Sequence, residues 1–140
     1  MAILTIFRGL PGAGKTQRAK YLVDKTGAML VEPDALLIVN GAYVYTPERY
    51  EAARYRCIDI IVSAVYADAM SPCRLHPDFV YADVLPRRYD VLEVIRVLPG
   101  EYRVDVIDCI ITREQSSLLN RHNVRAEDID RMAREWEEWI

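Results

Sequence analysis

Cysteine is scarce in this 140-residue chain: Cys57, Cys73 and Cys109 make an odd number and form no Cys-x-x-Cys pair. A disulfide-stapled scaffold is thereby excluded. Two of the three sit inside apolar runs, so they read as reduced packing residues, which fits a cytoplasmic protein. Histidine is scarcer, and neither His76 nor His122 has metal-ligand spacing; both are expected on the polar surface. No apolar run reaches the roughly 18–20 residues that span a bilayer. The N-terminus runs straight into a strand pattern rather than a signal peptide, so neither membrane insertion nor export is expected. A surplus of positive charge is also missing, with 18 Lys and Arg against 21 Asp and Glu for a net charge of −3. A broad basic surface for coating duplex nucleic acid is excluded, and a small basic groove is still allowed.

What remains is an ordinary globular composition, 51% hydrophobic and 28% charged, on a length that suits one domain over residues 1–140. Ile3 to Phe7 forms a short β-favouring run, and from Lys15 the period changes to helical, with Gly27 placed to end the helix. Ala28 to Val31 reads as a second strand, followed by one helical turn over Ala35 to Val39 that Asn40-Gly41 breaks. Thr46-Pro47 opens a long helix to about Met70, which Ser71-Pro72 ends. Phe79 to Asp83 is a third strand, Arg88 to Leu98 a helix, and Val104 to Ile111 a fourth strand. Thr112 to Gln115 has capping-box form and opens a short helix reaching about Asn120. The last helix carries Ile129, Met132, Ala133, Trp136 and Ile140 on one face, with Trp136 and Trp139 as packing residues. Alternating strands and helices predict an α/β three-layer sandwich: a short, about four-stranded, mainly parallel sheet with helices on both faces. Ligands of such sheets bind beyond the carboxyl ends of the strands, where Gly9, Asp34, Asp83 and Thr112 emerge.

One segment carries explicit chemistry. Gly9-Leu10-Pro11-Gly12-Ala13-Gly14-Lys15-Thr16 fits G-x-x-x-x-G-K-S/T at every fixed position, between a strand and a helix. Glycines let the backbone curl around an anion, and the helix start offers unpaired N–H groups with a positive dipole end. Lys15 is expected to reach the β- and γ-phosphates of ATP, and Thr16 to offer its hydroxyl to Mg²⁺. No guanine-selecting N-K-x-D motif follows, which favours ATP over GTP.

Other candidates have two readings each. Asp34, just past a strand end, is either a base for an acceptor hydroxyl or the cap of a short helix, with Glu32 in reserve. Asp83 is either a magnesium-shell carboxylate or a solvated strand-end acid. Arg113, Arg121 and Arg125 are either phosphate contacts or surface arginines, Arg121 being the first choice for transition-state charge and Arg113 a further nucleotide contact.

With these residues in view, the chain resembles the small P-loop kinases related to the phage polynucleotide kinase domain, which shade into zeta-toxin-like kinases. The resemblance rests on Gly9 to Thr16, on Val31-Glu32-Pro33-Asp34, and on Asn120-Arg121-His122-Asn123-Val124 followed by Ile129, Met132 and Trp136-Glu137. It implies Asp34 as general base and late arginines near Arg121 on the nucleotide phosphates. Two positions depart from the pattern: Leu119 stands where an arginine is common, and Ala35 to Ile38 is apolar where polar residues are common. The expected activity is transfer of the γ-phosphate to a hydroxyl or phosphate acceptor: a nucleoside, a nucleotide or a single-stranded nucleic-acid 5′-hydroxyl. The alternative is a nucleotide-dependent switch that hydrolyses slowly and acts through a protein partner.

Overall fold

The structure is a computed structural model and describes residues 2–70, 77–100, 102–122 and 124–139. Cys73, His76, Ser71-Pro72, Asn123 and Ile140 lie outside the described residues. Four strands, β1 (Ile3–Arg8), β2 (Met29–Val31), β5 (Phe79–Asp83) and β6 (Arg103–Asp108), form one sheet in the order β2-β5-β1-β6. Every pairing is parallel, with Leu4 opposite Phe79 and Val104. The expected four-stranded α/β sandwich is the observed one.

Side-chain alternation along the strands makes the two cores. Leu4, Ile6, Phe79 and Tyr81 face one side, where they meet Cys57 and Ile61 of α2 (Pro47–Met70) and Val91 and Val94 of α3 (Arg88–Ile95). Phe7, Val80, Ala82 and Cys109 face the other side, against Ala19 of α1 (Lys15–Thr26). Burying each large apolar side chain contributes about 1.5–3 kcal/mol, so this alternation dominates the fold.

Local signals set most ends. The Gly27 N–H donates to the Val23 carbonyl at 2.8 Å with φ +74°, closing α1 in a left-handed cap. Thr46 Oγ1 accepts from the Arg49 N–H at 3.1 Å at the start of α2. Both arms of the capping box form at α4 (Arg113–Leu119), between Thr112 and Gln115 at 2.9 and 3.0 Å.

Four expectations need correction. The segment after β2 is a 3₁₀ turn over Pro33–Leu37 followed by a hairpin of β3 (Ile38–Val39) and β4 (Ala42–Tyr43). Asn40 and Gly41 both have positive φ, the backbone of a two-residue hairpin turn rather than a simple helix break. α3 stops at Ile95, and β6 ends at Asp108, short of Leu98 and Ile111. α5 (Ala126–Glu135) excludes Trp136, because the buried Arg8 guanidinium lies 4.0 Å from the centre of the Trp136 ring and donates to the Glu137 carbonyl at 2.7 Å. That anchor holds the chain extended beyond Glu135.

Candidate active site

The glycine-rich loop leaves β1 at the carboxyl edge of the sheet and enters α1. Gly9 must be glycine: a Cβ there would lie 2.4 Å from the Cys109 carbonyl oxygen. Gly12 has φ +84°, and a Cβ on it would lie 2.9 Å from Leu119, so the loop and the end of α4 touch backbone to backbone. Ser116 of α4 is fully buried and donates to the Pro11 carbonyl at 2.6 Å. Gly14, also left-handed, precedes α1, whose N-terminus has no side-chain cap and no acidic residue in its first turn. Its N–H groups are thus free of competing side-chain acceptors, as an anion site requires.

Lys15 is buried in the loop, donating to the carbonyls of Gly9 at 2.7 Å and Leu10 at 3.0 Å. Burial lowers its pKa, opposed chiefly by the charges of Asp34 and Asp83. Thr16 donates to Glu32 Oε2 at 3.1 Å. Burial pushes the Glu32 carboxyl up, while the Thr16 hydrogen bond pulls it down.

A cleft of about 480 Å³ opens beside this loop, lined by Gly12 to Thr16 and by Asp34, Tyr43, Tyr45 and Tyr50. Asp34 Oδ1 accepts from the Tyr43 hydroxyl at 2.8 Å. Burial and the neighbouring Asp34 raise the pKa of Tyr43, so this phenol remains a donor. His122, from the α4–α5 connection, stacks on Tyr43 with ring centroids 3.9 Å apart and planes 21° apart, and its Nε2 lies 3.8 Å from Asp34 Oδ2. Arg121 lines the same cleft.

Asp83 is placed differently. It is buried at the end of β5, where it accepts from the Tyr50 hydroxyl, from the Tyr81 hydroxyl at 3.0 Å and from the Val84 N–H at 2.7 Å. Arg54 of α2 sits 3.5 Å away. Burial raises its carboxyl well above the ordinary value, with the Asp34 charge acting in the same direction. Arg113 lies outside the main cleft. It is half-exposed, 3.3 Å from both Glu114 and Asp130, and lines a smaller hollow of about 200 Å³ with Leu10 and Trp136. Arg125 pairs with Glu127 and Asp128.

Sequence reasoning thus assembled the loop and Asp34 at one cleft. It passed over the tyrosines, Ser116, Arg54 and His122, which it placed on the polar surface and which is instead partly covered by Tyr43. The Asn40-Gly41 pair, read as a hairpin, would have put Tyr43 and Tyr45 on one face of a strand by their alternation.

No protein-family model and no curated protein matches this sequence. Solved structures do. A chain of the Pnkp1/Rnl/Hen1 RNA repair complex superposes with a TM-score of 0.70 at 11% identity, covering 96% of this chain and 43% of that one. A second structure of the Pnkp1/Rnl/Hen1 complex is covered over 38% of its chain, so this chain spans less than half the length of these two neighbours. A sugar kinase from Janibacter sp. HTCC2649 gives 0.65 at 18% identity, covering 99% and 79%. Shikimate kinase from Acinetobacter baumannii gives 0.55 at 13%, covering 96% and 73%. With its parallel sheet and its glycine loop between β1 and α1, this chain has the fold of the small P-loop kinases.

Proposed function

We propose that the chain is an ATP-dependent phosphotransferase acting on a hydroxyl acceptor: a nucleoside, a nucleotide or a single-stranded nucleic-acid 5′-hydroxyl. The observation that carries this reading is that the phosphate loop and Asp34 line one cleft. Nucleotide phosphates lie on the loop N–H groups and the uncapped start of α1. The acceptor hydroxyl donates to Asp34, and its oxygen attacks the γ-phosphorus as its proton passes to the carboxylate. The bond from the γ-phosphorus to the β-bridging oxygen breaks, and ADP leaves with the electron pair. Lys15 and Arg121 offset the charge on the migrating group. Three tyrosines in the cleft lining favour a substrate with a flat π-face, a nucleobase rather than a plain sugar.

Mg²⁺ fits the oxygen pair of Thr16 and Glu32, 3.1 Å apart at the start of α1, since this ion takes one or two protein oxygens and completes its shell with phosphates and water. When bound it supplies neutralising charge to the phosphates. Asp83, the carboxylate first expected in this role, has both oxygens engaged by tyrosine hydroxyls and the Val84 N–H, so we assign it to the support of the site.

The test is transfer of labelled γ-phosphate to a panel of a 5′-hydroxyl oligonucleotide, nucleosides and nucleoside monophosphates, with wild type, Lys15→Ala and Asp34→Asn. Label on one acceptor, abolished by both substitutions, is the expected result. The second reading, a nucleotide switch acting through a partner, draws on the exposed Leu36, Ile38, Val39 and Val44 on and beside the hairpin. It predicts label in water alone and wild-type behaviour of Asp34→Asn.

A further inference from the structure

The phosphotransfer reading leaves His122 without a role, yet this side chain bridges parts of the site that are remote in sequence. Its ring lies on Tyr43 of β4, and its Nε2 faces Asp34 of the turn after β2. Tyr43 in turn holds Asp34 Oδ1. At 3.8 Å from His122, Asp34 Oδ2 is beyond hydrogen-bond distance, and among the described residues only Oδ1 accepts a hydrogen bond, so Oδ2 is the oxygen we assign to an incoming hydroxyl. The segment that delivers His122 is also fastened to the phosphate loop. Ser116 bonds to Pro11, the Leu119 backbone lies against Gly12, and Arg121 lines the nucleotide cleft one residue before His122. Within the connection, the His122 N–H donates to Asn120 Oδ1 at 3.1 Å and Asn120 Nδ2 donates to the Val124 carbonyl at 2.7 Å. Arg121 and His122 therefore share one braced turn, both line the cleft, and the second lies on Tyr43 beside Asp34.

We propose that His122 is a positioning residue that couples the two substrate sites: seated on Tyr43, it orients Asp34 when the α4–α5 connection is seated on the phosphate loop. The proposal rests on the phosphotransfer reading for the role of Asp34. Coupling of this kind is reciprocal. Nucleotide that engages Arg121 steadies the turn that already holds His122 on Tyr43 beside Asp34, and loss of the His122–Tyr43 contact loosens the grip on nucleotide. Packing alone gives a different signature, because a side chain that stays 40% exposed contributes little to fold stability, and its removal leaves the nucleotide site unchanged.

The experiment is a double-mutant cycle on nucleotide binding, read by calorimetry with Mg²⁺ and a β,γ-imido analogue of ATP, for wild type, His122→Ala, Tyr43→Ala and the double variant. The expected result is that each single change weakens binding and the double weakens it no further, a coupling of about threefold or more. His122→Phe, which keeps a ring over Tyr43, restores the coupling. Additive losses, wild-type affinity in His122→Ala, or a Phe variant as uncoupled as Ala overturns the proposal. In the transfer assay with a short 5′-hydroxyl oligonucleotide, His122→Ala lowers kcat/KM for the acceptor about tenfold through misplacement of the base, with an unchanged melting temperature. Should wild type transfer label to no acceptor, the phosphotransfer reading fails by itself, while the nucleotide-binding cycle still decides whether His122 and Tyr43 are coupled.

Discussion

Asp83 ends β5 and Asp34 follows the neighbouring β2 at the same edge of the sheet, and each accepts a hydrogen bond from a tyrosine hydroxyl. Their surroundings differ in one decisive respect: the Asp34 side chain is 36% exposed and the Asp83 side chain 1%. Asp34, which lines the cleft, has Oδ1 engaged by Tyr43 and Oδ2 3.8 Å from His122. Asp83 has both oxygens engaged and binds Arg54 of α2, which also reaches Asp90 and Glu93 of α3. On the phosphotransfer reading, the same residue type at the same sheet edge serves two ends. A carboxylate with a free lone pair and access to solvent can take a proton, whereas a buried and fully hydrogen-bonded one holds helices to the sheet.

Substitutions can break this contrast. Asp34→Asn is expected to lower phosphoryl transfer by about 10²–10⁴-fold with no change in melting temperature; equal losses of activity and stability would erase the distinction. Asp83→Ala should act on stability instead, by about 3 kcal/mol in urea unfolding, because the partly buried Arg54 keeps only its contacts to Asp90 and Glu93. A loss below about 1 kcal/mol would return Asp83 to the list of dispensable acids. Removing the tyrosine hydroxyls sharpens the comparison further: Tyr50→Phe leaves a buried carboxylate short of a donor and costs about 1–3 kcal/mol, while Tyr43→Phe costs under about 1 kcal/mol.

The smallest effect is on pH dependence. Burial raises the Asp83 carboxyl above its ordinary value, so between the ordinary and the raised value the folded protein holds this proton more tightly than the unfolded chain, and above that window Asp83 is the ionised partner of Arg54. Stability from this group is fully present below the ordinary carboxylate range and falls as pH rises through the raised value. Melting curves between about pH 4 and pH 8 should show a downward slope in wild type that is shallower in Asp83→Asn. Identical slopes would mean that Asp83 titrates as an ordinary acid.

The parts of the site that were legible in the sequence are those whose chemistry is local. Gly9, Gly12 and Gly14 are needed by the backbone they occupy, and Lys15 and Thr16 follow at the start of the helix that the loop feeds. The strand Phe79–Asp83 announced itself by composition and its helices by capping residues. The hairpin was legible as well, since Asn40-Gly41 is a strong turn signal, but a breaker reading took precedence over a turn reading. His122 was not legible, because nothing near it in sequence points to Tyr43 or Asp34.

The sequence by itself determined the phosphate loop, the alternation that splits the core into two faces, and the arrival of Asp34 at the carboxyl edge of the sheet. Each follows from short-range backbone and side-chain preferences. Tertiary structure alone decided that Asp83 is walled in by Tyr50 and Arg54, that Arg8 stops the last helix by capturing Trp136, and that His122 closes on Tyr43 and Asp34. These outcomes depend on desolvation and on contacts between segments tens of residues apart, and no window of sequence contains both partners.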